Sequence, residues 1–128
     1  MLLSISHLSI AADDQLLTGT ELLASAKKQI KNIDTKQLQE QLKKDPMTLL
    51  IDVRTEEEIM LEEGTIDTAL NTVIPRGWLE SRIDQYAVNK DAPIIVYCGS
   101  NTRSPFAAQT LMQMGYTHVM NYEANQYV

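Results

Sequence analysis

Leu22, Ala26 and Ile30 recur at spacings of four, with Lys27, Lys28 and Lys31 off that line. This period lays the apolar residues along one face of a helix. Thr20 suits its N-cap, and Glu21 suits the positive helix end. A second helix is predicted from Asp34, which forms a capping box with Gln37, while Ile33 and Leu38 stand at the positions of a hydrophobic staple. Leu38 and Leu42 continue its apolar face, and Asp45-Pro46 ends it. Thr48-Leu49-Leu50-Ile51-Asp52-Val53 is then an unbroken apolar run with an acid near its end, the pattern of a strand buried on both faces. Arg54-Thr55-Glu56-Glu57-Glu58 opens a further helix that stops near Gly64. Its glutamates favour a helix N-terminus and otherwise read as a solvated face. Leu70 to Pro75 is a short strand, and Gly77 to Tyr86 is helical with Trp78, Ile83 and Tyr86 as core residues. Asp91-Ala92-Pro93 turns the chain into Ile94-Ile95-Val96-Tyr97, a second buried strand that runs directly into Cys98. Ser104-Pro105 opens the next helix, because proline is favoured in a first turn. Phe106, Thr110, Leu111 and Met114 mark its inner face, Gly115 stops it, and Tyr116 to Tyr122 forms the last strand.

Strands alternate with helices across short connections. That order predicts an α/β fold, an open, mostly parallel sheet of about four to five strands with helices on both faces. At 128 residues the chain suits one compact domain able to bury its own core. Residues 33–128 carry the α/β pattern, and residues 15–32 read as an N-terminal helical extension packed against it. Residues 1–14 read as the remnant of a secretory leader or as a flexible N-terminus: Leu2 to Ile10 is apolar, and Ser9-Ile10-Ala11 before Ala12-Asp13-Asp14 resembles a leader's end. No basic residue precedes that run, and it is too short to span a membrane. A leader implies a periplasmic or secreted protein; the alternative is a cytoplasmic one. No repeat, low-complexity tract or linker interrupts the pattern.

The net charge of −6 gives nucleic-acid phosphates nothing to attract, so nucleic acid is not an expected partner. With one cysteine, an internal disulfide and a multi-cysteine metal site are both impossible. His7 and His118 are isolated, and no acid cluster has ligand spacing, so neither a metal nor another cofactor is expected. The tyrosines and Trp78 are assigned to the core. A lone cysteine is either a small buried hydrophobe or a reactive thiol, and its neighbours decide between them.

Those neighbours favour reactivity. Cys98-Gly99-Ser100-Asn101-Thr102-Arg103-Ser104 joins the strand 94–97 to the following helix. Ligands of open α/β sheets bind beyond the carboxyl ends of the strands. A loop of small residues there can curl so that successive N–H groups point inward and open onto a helix N-terminus, which makes an anion site. Gly99 and Asn101 are best able to take the left-handed conformation the curl needs. A thiolate is itself an anion. Cys98 is therefore expected to ionise readily, with Arg103 adding a fixed positive charge.

Cys98 to Arg103 resembles the six-residue active-site loop of rhodanese domains, which often ends in arginine before serine. The resemblance extends from about Ile33 to Tyr122. Leu50-Ile51-Asp52-Val53-Arg54 is similar to that family's first-strand motif. Glu63-Gly64-Thr65-Ile66, Ala69-Leu70-Asn71 and Ile74-Pro75-Arg76-Gly77 are similar to its segment around Gly-His-Ile and Ile-Pro, and Pro93 to Tyr97 is similar to the strand before the catalytic cysteine. The order and spacing of these pieces carry the resemblance more than any one of them. It implies a single-domain thiosulfate sulfurtransferase. Cys98 would be catalytic, taking the outer sulfur of thiosulfate or a similar small anion as a persulfide and passing it to a thiol, to cyanide or to a protein acceptor. Gly99, Ser100, Asn101, Thr102 and Arg103 would bind the donor, and Asp52, Arg54 and Ser104 would brace the site.

The chain departs from the family pattern at several positions. Thr65 replaces the histidine after glycine, Asp67-Thr68 replaces Pro-Gly, and extra residues lie between Asn71 and Pro75. Asn101 replaces the loop's common glycine, and Glu123-Ala124 replaces a Gly-Gly. Asn101 adds bulk that narrows donor choice, and the altered end bears on the rim of the pocket. A cysteine-dependent phosphatase or arsenate reductase would use the same thiolate and arginine. Related phosphatases, however, have a loop one residue longer, and no general acid is legible in this chain. A carrier module that passes persulfide between proteins would use every residue named here.

Overall fold

The computed structural model describes residues 16–62 and 64–123. The leader-like residues 1–14, together with His7, Glu63 and Ala124, lie outside them. The described residues form a five-stranded, wholly parallel sheet in the order β1-β5-β4-β2-β3. Its strands are β1 (Lys31–Ile33), β2 (Leu49–Asp52), β3 (Asn71–Val73), β4 (Ile94–Tyr97) and β5 (Val119–Tyr122). The helices are α1 (Gly19–Gln29), α2 (Thr35–Lys44), α3 (Glu56–Leu61), α4 (Leu79–Arg82) and α5 (Ser104–Gln113). This is the α/β architecture the alternation predicts.

The two apolar runs form the centre of the sheet because both of their faces have to be covered. All residues of β2 and β4 are buried. Leu49, Ile51, Val53, Ile94, Val96 and Cys98 face α4 and α5 with Ile83, Ala107, Ala108 and Leu111. Leu50, Ile95, Tyr97 and Met120 face the other way, onto Leu38 of α2. Fully burying one such aliphatic side chain contributes about 1.5–3 kcal/mol. Among the described residues no helix is long and apolar enough to cross a membrane, and no cluster of three or more His, Cys, Asp or Glu could hold a metal ion.

Several local readings shift. The cap of α1 is Thr18, not Thr20: Thr18 Oγ1 accepts from the Glu21 amide at 3.1 Å, and Glu21 Oε2 accepts from the Thr18 amide at 2.8 Å. The Asp34–Gln37 capping box forms as its spacing predicts. Lys31–Ile33 is a strand with no apolar period to announce it. As a three-residue edge strand it owes its order to pairing with β5, Asn32 opposite Asn121. A boundary between residues 32 and 33 therefore falls inside an element of the sheet. Trp78 and Tyr86 are not core: they are 54% and 49% exposed, and Leu79 and Ile83 fill the core from that segment. It winds as a 3-10 turn, a single α-helical turn and another 3-10 turn, which rotates its apolar face away from the one a uniform helix presents. On α5 the fully buried positions are Ser104, Pro105, Ala107, Ala108 and Leu111, whereas Phe106, Thr110 and Met114 are half-buried. Small residues there let the helix lie close to β4.

Candidate active site

β2 connects outward to β3, whereas β4 connects the other way to β5. The chain therefore reverses direction between β2 and β4, and the crevice beyond their carboxyl ends is where an open α/β sheet binds ligands. Asp52 pairs with Tyr97 at that end. One residue later on each strand, Val53 and Cys98 leave the sheet, tied by the Val53 amide donating to the Tyr97 carbonyl at 3.0 Å.

Cys98 is buried. Its Sγ lies 3.3 Å from Ser104 Oγ and accepts from the Ser104 amide at 3.5 Å. α5 has no side-chain cap of its own. The sulfur thus takes one of the helix's otherwise unpaired amides, at the end where the helix dipole favours negative charge. Burial pushes the thiol's pKa up. The Ser104 hydroxyl and the amides of Ser104, Ser100 and Arg103 outweigh it, and the net result is a value below the ordinary one for cysteine. When the thiol ionises, the Ser104 hydroxyl can rotate to donate to it. The loop is curled by Asn101, whose φ is +54°. The positive-φ glycines are Gly64 and Gly115, so of Gly99 and Asn101 only Asn101 takes the left-handed conformation. Ser100 and Thr102 hydroxyls face each other at 2.9 Å on the exposed side.

Arg103 is not a free charge. Its Nη1 and Nη2 donate to Glu58 Oε2 and Oε1, each at 2.7 Å. The guanidinium holds the Glu58 carboxyl down at about 2, assisted by the Thr55 amide. Arg103's own pKa is raised, first by that pair and also by the nearby Cys98. The positive charge beside the sulfur is therefore largely balanced from α3.

Asp52 and Arg54 form a second centre, on the opposite face of the sheet from Cys98. Arg54 Nη2 lies 2.6 Å from Asp52 Oδ2, with both side chains buried. Its Nη1 donates to Glu62 at 2.8 Å and its Nη2 to the Gly64 carbonyl at 3.0 Å. Thr65 Oγ1 donates to Asp52 at 3.1 Å and meets Tyr97 Oη, which also donates to Asn71 at 2.9 Å. This network ties Glu62, Gly64 and Thr65 to the end of β2. It makes no hydrogen bond to the cysteine loop, which is gripped instead by Glu58.

Sequence reasoning missed Glu58 and Asn121. The three consecutive glutamates gave no sign of which would turn inward; Thr55 as a cap did, because N3 of a capping box faces back toward the helix start. Asn121 carried a signal as well, a polar residue within an otherwise apolar strand. It is fully buried and donates to Asn101 at 2.9 Å.

As a whole, the arrangement is a thiol whose pKa is lowered by the Ser104 hydroxyl and by the amides of Ser104, Ser100 and Arg103, able to act as a nucleophile toward a small anion. A model of the rhodanese-like domain matches residues 34–124. A sulfurtransferase of Allochromatium vinosum is 35% identical over 92 residues, 72% of this chain and 80% of that protein. The thiosulfate sulfurtransferase of Escherichia coli is 37% identical over 71 residues, 56% of this chain and 64% of that protein. Among solved structures, the polysulfide-sulfur transferase homodimer of Wolinella succinogenes matches with a TM-score of 0.70 and 26% identity, over 80% of this chain and 74% of that one. A Rhodopseudomonas palustris protein of unknown function, called a possible tyrosine phosphatase, matches with a TM-score of 0.70 and 25% identity, over 97% of this chain and 89% of that one.

Proposed function

This chain belongs to the rhodanese-like domain family, and from that premise we propose that it moves a sulfane sulfur from thiosulfate, or a similar small anionic donor, to a thiophilic acceptor through a persulfide on Cys98. Its relatives and its fold set it in the sulfurtransferase family. The observation that carries the finer reading is the Cys98 sulfur held at the start of α5 by Ser104 and the loop amides. In the first step the thiolate attacks the outer sulfur of thiosulfate. The S–S bond of the donor breaks, its electron pair leaves with sulfite, and the new S–S bond makes the persulfide. In the second step an acceptor thiolate or cyanide attacks the outer sulfur, and the Cys98 thiolate leaves. Charge balances at both steps and no oxidant is needed. The amides that stabilise the thiolate are the same donors that would hold the donor anion and then the terminal persulfide sulfur.

Intact-mass measurement tests this reading. Thiosulfate should add about 32 Da, the mass of one sulfur, and a thiol should remove it. Cys98→Ser should abolish the gain without unfolding the protein. A wild-type protein that gains no sulfur from any sulfane donor would overturn the proposal.

A further inference from the structure

A line of asparagines leads from the N-terminal extension into the cysteine loop. Asn32 Nδ2 donates to the Lys27 carbonyl at 2.9 Å, in the last turn of α1. Asn121 Nδ2 donates to Asn32 Oδ1 at 3.0 Å and to Asn101 Oδ1 at 2.9 Å. The direction of each amide follows from the first. A backbone carbonyl can only accept, so Asn32 turns its nitrogen to Lys27 and its oxygen to Asn121. Asn121 must then present its nitrogen. That nitrogen has two hydrogens, and the chain uses both: one on the edge strand β1, one on the loop. Its oxygen is buried with no hydrogen-bond partner among the described residues. Burying an unpaired carbonyl opposes folding, and an apolar residue would fill β5 without that cost. The donor end is therefore what the site uses. Its target is the one loop residue with a left-handed backbone, φ +54° at Asn101, a conformation that asparagine takes more readily than most residues but less freely than glycine, so that a side-chain contact helps to hold it.

We propose that Asn121 is a positioning residue for the cysteine loop: through Asn101 it fixes the curl of residues 98–103, and Asn32 and the Lys27 carbonyl fix Asn121 in turn. The α1–β1 extension then belongs to the support of the site and does more than cover α5. The catalytic consequence rests on the reading of Cys98 as sulfur carrier; the positioning itself does not. A loop that loses the clamp samples other curls, its amides converge less on the sulfur, and the thiolate is less favoured.

The test uses the full chain, with Asn101→Gly, Asn121→Val and the double variant. Asn101→Gly allows the positive φ without strain and deletes only the side-chain clamp. Iodoacetamide alkylation of Cys98 against pH reads the loop without any sulfur donor, and thiosulfate–cyanide turnover reads catalysis. Each single substitution should raise the alkylation inflection by about one pH unit, about a tenfold loss of thiolate below it. Turnover should fall mainly through kcat. The double variant should shift no further than Asn101→Gly alone, since Asn121 acts through Asn101. An unchanged alkylation profile in Asn101→Gly overturns the proposal, and so does an Asn121→Val shift that adds in full to that of Asn101→Gly. If Asn121→Val does not fold, Asn101→Gly decides alone. A wild-type protein that takes up no sulfur while Asn101→Gly still shifts the inflection would sink the sulfur-transfer reading and leave the clamp standing.

Discussion

Glu58 grips Arg103 in a two-pronged ion pair, Oε2 to Nη1 and Oε1 to Nη2 at 2.7 Å each, across 45 residues of sequence. The pair locks the last residue of the cysteine loop to the first turn of α3. It also balances the fixed charge nearest the sulfur. Both side chains are about one-third exposed, so water screens the pair and its contribution to stability should stay below about 1 kcal/mol.

Removing the two partners should therefore move the sulfur in opposite directions. Arg103→Ala deletes the positive charge and should raise the Cys98 alkylation inflection. Glu58→Gln leaves that charge unbalanced and should lower it. Arg103→Ala should also cost about 1–3 kcal/mol of transition-state stabilisation with thiosulfate, the scale of a hydrogen bond to a charged group. If both variants shift the inflection upward by the same amount, order in the loop outweighs charge and the electrostatic account fails.

The ionisation of Cys98 should be coupled to folding with a definite sign. Its folded pKa lies below the ordinary value. The stability this contributes is fully present above the unfolded value of ~8.5 and is lost as pH falls through the folded one. Urea denaturation of the wild type and of Cys98→Ser, from about pH 6 to about pH 9, should show the wild type gaining relative to the variant as pH rises. Ser104→Ala removes the hydroxyl that most favours the thiolate and should shrink that gain. Parallel curves for wild type and Cys98→Ser would count against the depressed pKa.

The Asp52–Arg54 pair should matter for stability far more than for chemistry. Asp52 is fully buried and Arg54 nearly so. Arg54→Met would strand a buried carboxylate and should cost about 3–5 kcal/mol, read from the denaturation midpoint. The folded fraction should alkylate at Cys98 with the wild-type pH profile, because this network makes no hydrogen bond to the loop. A cost under about 1 kcal/mol would show that the pair is not holding Glu62, Gly64 and Thr65.

Loop length should separate sulfur transfer from phosphate chemistry, a contrast made pointed by the structural likeness to a protein called a possible tyrosine phosphatase. With six residues, the loop from Cys98 to Arg103 should close only a narrow ring of amides around the sulfur. Thiosulfate–cyanide turnover without meaningful hydrolysis of aryl phosphates is expected. A glycine inserted between Ser100 and Asn101 should widen the ring and lower sulfur transfer, because the amides no longer converge on the smaller group. A native protein that hydrolyses the phosphate well and ignores thiosulfate would reverse this ranking.

The sequence alone determined the centre of this molecule. Leu49–Asp52 and Ile94–Tyr97 are apolar on both faces, and such runs have nowhere to go but the middle of a covered sheet. The Asp34–Gln37 cap, the Ser104-Pro105 helix start and the cysteine at a strand's carboxyl end are equally local, because each depends on residues within a few positions of one another. Only the tertiary structure decided the partners. The Thr55 cap singles out Glu58 among the three glutamates, but that its partner is Arg103, that Asn32 and Asn121 lie side by side, and that Lys31–Ile33 is a strand at all are set by the tertiary fold. Trp78 and Tyr86 stay outside the core for a similar reason: hydrophobicity says that a side chain can be buried, but the irregular winding of residues 76–85 decides which of them reaches the core. Periodicity records how an element faces a core. It carries no record of which distant side chain stands across from it, and the contacts that hold the cysteine loop, from Glu58 and from Asn121, are of that second kind.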